Sequence, residues 1–195
     1  MIMLIIILSF IIIFICRMIP VSSVFFWALK LGIFYFTIPI LILYLFKKNP
    51  GDYGLNFRNY RKSLFYFFLI IMISLPIMIY GSTLEEFRSY YPLFYSDSIF
   101  SFAKNELFIG VVMLSTEFFF RGFLMFELKE KTGIYAIIVQ TIPYGILHIG
   151  KPPLEVYYSF IAGIVLGYMD YKTESILPSF LSHYIPSIIF DILCL

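Results

Sequence analysis

The sequence predicts an all-α fold: a polytopic membrane helical bundle of about seven transmembrane helices, forming a single integral-membrane domain over residues 1–195. Three observations predict it. Of the 195 residues, 61% are hydrophobic and only 13% are charged, against about 25% charged in an ordinary soluble domain. The apolar residues form continuous runs, unlike the alternating segments of roughly ten residues that mark a membrane β-barrel. With 24 Phe and 16 Tyr, the surface has to be largely lipid-facing. A net charge of +2 is small and says nothing about nucleic acid, which is not an expected partner of a chain of this composition. Cys16 and Cys194 have no metal or redox spacing and read as small apolar residues.

The elements follow in order. Residues 1–16 are apolar, lack a basic leader and have no small-residue cleavage site, so a first membrane helix is expected there, not a removed signal peptide. Residues 24–46 form a second span, with Lys30 near enough to one end to snorkel. The stretch 47–62 is the most polar; Asn49-Pro50-Gly51-Asp52 signals a turn, and an interfacial helix is expected to begin at Arg58. Residues 63–80 form a third span, kinked at Pro76. Residues 81–105, rich in Tyr and Ser, read as an interfacial loop on the opposite side. Residues 107–128 form the fourth span, closed by Lys129, Lys131 and Gly133. Residues 134–149 form the fifth, interrupted by Pro143 and Gly145. Pro152 and Pro153 suit the first turn of the sixth, 155–169, where Gly163 and Gly167 allow close helix packing. Residues 177–195 form the last. Seven crossings put eight Lys and Arg on the side of 47–62 and four on the other, which orients the N-terminus towards the cytoplasm.

Four polar groups stand inside these apolar runs: Glu117, Arg121, His148 and His183. Glu117 and Arg121 are four residues apart and share a helix face. A carboxylate in mid-span is costly and faces a protein interior, a cavity or a partner. Glu117 is midway along its span, His183 is at a similar depth, and His148 lies late in an antiparallel helix, so all three converge if their helices are neighbours. A carboxylate with two imidazoles suits water activation, with or without a metal. Zn2+ held by His148, His183 and Glu117 is chemically reasonable, although the pattern is not HExxH. The bland readings are an ion pair that neutralises two buried charges and histidines that only bond neighbouring helices.

These residues sit in three motifs. Thr116-Glu117-Phe118-Phe119-Phe120-Arg121-Gly122, Tyr144-Gly145-Ile146-Leu147-His148, and Thr173-Glu174-Ser175-Ile176-Leu177-Pro178 leading to His183 occur in that order. Together they resemble the CAAX-protease and bacteriocin-processing family (Abi, CPBP), over a protease-like core of about residues 105–190. The resemblance implies a helical intramembrane endopeptidase in a cytoplasmic membrane, bacterial or archaeal, that acts near the bilayer on a peptide or lipidated protein. It implies that a Glu activates water while the histidines position it and help stabilise the oxyanion. The sequence departs from the family pattern at two positions: Thr116 stands where the first glutamate of the EExxxR motif would be, and Ser187 where an Asn or Asp would follow the last His. Glu155, at the start of the next helix, is the expected substitute for the missing glutamate, and Ser187 the altered hydrogen-bond donor.

The leading function is therefore a glutamate-dependent intramembrane endopeptidase with Glu117, His148, His183, Arg121, Glu155 and Ser187 as site residues. The alternative is a catalytically impaired relative that binds membrane peptides as an immunity factor or scaffold, which Thr116 favours. A proton-relay transporter is disfavoured, because no inverted repeat is visible.

Overall fold

The computed structural model describes residues 2–195 and shows no β-strand among them. Met1, where the first expected span begins, lies outside the described residues. Helix α1 is Ile2–Met18. Helix α2 is Val24–Leu45; it is capped by Ser23, whose Oγ accepts the Phe26 N–H at 3.3 Å. Helix α3 is Tyr60–Gly81 and the short α4 is Glu85–Arg88. Helix α5 is built from Ile99–Glu117, a π-helical stretch Phe118–Met125 and Phe126–Thr132. Then come α6 (Ala136–Ile146), α7 (Pro153–Thr173) and α8 (Leu177–Leu193). Three helical runs are long and apolar enough to cross a membrane: Val24–Leu45, Tyr60–Gly81 and Ile99–Ile146.

Among the boundaries that differ from the sequence reading, three have a clear local reason. Residues 60–62 are the first turn of α3 itself, not a separate interfacial helix, because Asn59 takes a left-handed conformation and turns the chain directly into it. Helix α5 starts at Ile99 instead of Leu107, since Ser98 caps it by accepting the Ser101 N–H at 3.2 Å. Helix α6 stops at Ile146 after 11 residues, about 16 Å, roughly half a hydrocarbon core. His148 consequently sits in the turn after α6 and not within a helix. Pro143, expected to interrupt the span, is accommodated inside α6.

Helix α5 is the central post. Phe118, Phe119, Phe120 and Phe123 are all fully buried, as expected for a helix apolar on every side and surrounded by others. A second π-helical stretch, Gly32–Thr37, lies in α2. The two stretches meet where Tyr35 stacks on Phe119, with ring centroids 4.4 Å apart. Such π turns insert an extra residue into the helical ladder and gather at functional sites. Helices α6 and α7 pack closely through glycine: a Cβ at Gly163 would lie 2.8 Å from Thr141 Cγ2.

One end of the bundle collects the polar segments that the charge count places together. Lys48 Nζ lies 3.5 Å from Glu130, Lys129 Nζ 3.1 Å from Glu174, and Asn59 Nδ2 donates to Thr173 O at 3.1 Å. The Tyr53 hydroxyl donates to the buried Glu127 carboxylate, and burial together with that bond pushes the Tyr53 hydroxyl pKa up. At the other end Tyr91, from the loop after α4, reaches the start of α7.

Candidate active site

Glu117 is the last residue before the π-helical stretch of α5, and Arg121 lies within it; both are fully buried. Arg121 Nε lies 3.4 Å from Glu117 Oε2, and Nη1 donates to Oε1 at 3.4 Å. The guanidinium also lies over the Tyr144 ring, 3.8 Å from its centroid, a cation–π contact in a desolvated setting. Gly122 completes the motif for a steric reason: a Cβ there would lie 2.7 Å from the Tyr53 carbonyl oxygen.

Helix α8 brings His183 to this pair. Its Nδ1 lies 2.6 Å from Glu117 Oε1, so a carboxylate and an imidazole meet across two helices. His148 reaches the same place from the turn after α6. Its Nδ1 bonds the Tyr144 carbonyl oxygen at 3.0 Å, and a carbonyl only accepts, so Nδ1 carries the proton and Nε2 is left with its lone pair. The Tyr144 ring stands beside both imidazoles, with centroids 4.8 Å from His148 and 6.3 Å from His183. Glu117 is thus in contact with both Arg121 and His183, while His148 stands beside the same Tyr144 ring. The carboxylate itself is fully buried, and the His183 side chain is about one-fifth exposed.

The other candidates stand differently. Both Glu155 oxygens are engaged: Lys151 Nζ lies 2.6 Å from Oε1, and the Tyr91 hydroxyl donates to Oε2 at 2.7 Å. Burial and this carboxylate push the Tyr91 hydroxyl pKa up, which keeps Tyr91 a donor. Ser187 is half-buried one turn beyond His183 and, among the described residues, makes no hydrogen bond to Glu117, His148 or His183. Thr116 spends its hydroxyl on the Val112 carbonyl at 2.7 Å. Among the described residues no three His, Cys, Asp or Glu side chains are grouped as a metal would need, and Glu117 Oε1 and His183 Nδ1 face each other at hydrogen-bond distance. The donor set does not fit Zn2+ in this arrangement, and no step is derived through one.

Residues 99–189 match a family model described as Rce1-like, type II CAAX prenyl endopeptidase. The match spans all three motifs and bears out the family resemblance read from them. The Rce1-like family is a family of proteases, and with the three membrane-length helical runs it supports an integral-membrane peptidase. No match was found among curated proteins or among solved structures.

One residue of the matched segment is not among the site residues read from the sequence. Asp170 falls between the apolar runs 155–169 and 177–195, yet it is fully buried in the last turn of α7. Its Oδ1 accepts the Ser179 N–H in the first turn of α8 at 3.2 Å. It ties the end of α7 to the start of the helix that carries His183. The signal was its position: directly after the apolar run 156–169 and before the family-like Thr173, at a depth where an acid needs a partner.

Proposed function

We propose that the chain is an intramembrane endopeptidase of the CAAX-processing kind, acting on a membrane-associated peptide or lipidated protein, with Glu117 and His183 as its catalytic dyad. The observation that carries this reading is the 2.6 Å contact between His183 Nδ1 and Glu117 Oε1 on neighbouring helices. With its proton on Nδ1, His183 donates to the carboxylate and presents Nε2 as a base. His148, held by the Tyr144 carbonyl, presents a second Nε2 acceptor that orients the same water. Nε2 of His183 takes a proton from the water as its oxygen attacks the peptide carbonyl carbon. The imidazolium that forms faces Glu117, whose charge Arg121 balances. When the C–N bond breaks, that proton passes to the leaving amine. Ser187, one turn along α8, supplies a hydroxyl to the oxyanion. Glu155, with both oxygens engaged, acts at the site's edge, holding Lys151 and Tyr91. The N-terminus is cytoplasmic in this reading, the polar end of the bundle lying on the cytoplasmic side.

A second reading, a relative that binds membrane peptides without cleaving them, is favoured by Thr116, whose hydroxyl is bound to its own helix. The test is cleavage of farnesylated and unmodified membrane peptides in proteoliposomes by the wild type and by Glu117→Gln, His148→Ala and His183→Ala. The dyad predicts cleavage by the wild type and a loss of about 100-fold or more in Glu117→Gln and His183→Ala. Binding of the peptide without cleavage by the wild type would establish the second reading.

A further inference from the structure

A groove of about 540 Å³ opens between α3, α6 and α7. Tyr66 of α3, Ile138 of α6 and Val165 and Tyr168 of α7 are among its walls, and its lining is apolar apart from tyrosine hydroxyls. Glu117, Arg121, His148 and His183 are not among its lining residues, and it plays no part in the chemistry above. At its mouth, on the polar end of the bundle, stand two lysines. Lys62 Nζ is 5.9 Å from the centroid of Tyr66, and Lys172 Nζ is 5.5 Å from that of Tyr168, so each lysine leans on a tyrosine that lines the groove. Lys62 Nζ also donates to the Lys172 backbone carbonyl at 3.2 Å, which holds the Lys62 ammonium against the end of α7 that carries Lys172.

The charges around them are already matched. Glu174 is taken by Lys129 at 3.1 Å, and Glu130 by Lys48 at 3.5 Å. Among the described residues no carboxylate lies within 4.0 Å of Lys62 or Lys172. Two cations without carboxylate partners above an apolar slot between helices match one chemistry: an anionic phosphate diester joined to a hydrocarbon chain. We propose that this groove is a binding site for an anionic phospholipid, with an acyl chain along Ile138 and Val165 and the phosphate between Lys62 and Lys172. Bound there, the lipid fills the gap between α3 and the α6–α7 pair.

The test is native mass spectrometry of the full chain in detergent, titrated separately with phosphatidylglycerol and phosphatidylcholine. The proposal expects tighter retention of phosphatidylglycerol by about 30-fold, two lysines each acting at a membrane surface. Lys62→Gln/Lys172→Gln should bring the two lipids near parity. Ile138→Trp, a substitution at a side chain 52% exposed, should fill the slot and reduce both. Equal retention of the two lipids by the wild type would overturn the proposal, as would an unchanged preference in the double lysine variant. Displacement of both lipids by a farnesylated cysteine methyl ester, with no preference for the anionic one, would assign the groove to a substrate chain and overturn it as well.

Discussion

Glu117 and Arg121 give the clearest way to separate structure from chemistry, because both are fully buried and bonded to each other. Replacing Glu117 with Gln keeps the shape and the hydrogen-bonding amide but leaves the Arg121 guanidinium without its nearest counter-charge. Breaking one side of a buried pair costs about 3–5 kcal/mol. Arg121→Met, which keeps length and apolar bulk over the Tyr144 ring, strands the carboxylate and should cost a similar amount. The double variant Glu117→Gln/Arg121→Met removes both charges together, and replacing a buried pair by neutral groups of similar volume is often close to neutral. The cycle should therefore show a coupling of about 2 kcal/mol or more. Reversible unfolding in mixed micelles, or thermal unfolding in one detergent, reads it. Additive single-variant losses would refute the pairing argument. The double variant also isolates catalysis: it should fold like the wild type and cleave at least about 100-fold more slowly, since His183 then lacks its carboxylate.

The remaining predictions follow from single contacts. Gly122→Ala forces a Cβ to within 2.7 Å of the Tyr53 carbonyl and should destabilise the chain by about 1–3 kcal/mol, read by the same unfolding assay. Thr116→Ala removes a hydroxyl already bound to the Val112 carbonyl, so cleavage should stay within about twofold of the wild type; a loss as large as that of His183→Ala would place Thr116 in the chemistry. The Tyr91 pKa is raised in the fold by burial and by Glu155, so its contribution to stability is complete below the unfolded tyrosine value of about 10 and is lost as pH rises above it. Tyr91→Phe should flatten thermal stability between roughly pH 9.5 and 11; an unchanged alkaline slope would show that the Tyr91–Glu155 bond does not carry it.

The sequence was most legible where chemistry and hydrophobicity disagreed. Glu117, Arg121, His148 and His183 are polar groups in apolar runs; the structure brings the last three around one tyrosine ring and bonds Glu117 to Arg121 and His183. What could not be read is set by contacts across helices. That Glu117 stands behind His183 depends on how α8 docks on α5, which spacing along either helix does not reveal. Asp170 was hidden for the same reason: a residue at a helix end looks solvated until the neighbouring helix start, here Ser179, closes over it. Helix lengths misled where caps act from outside the apolar run, as Ser98 does for α5. The short α6 was concealed because Ile146 and Ile149 continue the hydrophobic pattern after the helical backbone has ended.

The central claim is that the Glu117–His183 contact makes this chain a peptidase. It is tested most directly by cleavage of a farnesylated membrane peptide in proteoliposomes, comparing the wild type with a folded Glu117→Gln/Arg121→Met variant. The account predicts a cut by the wild type and, from the folded double variant, a rate lower by about 100-fold or more. Cleavage by that variant at the wild-type rate would contradict it.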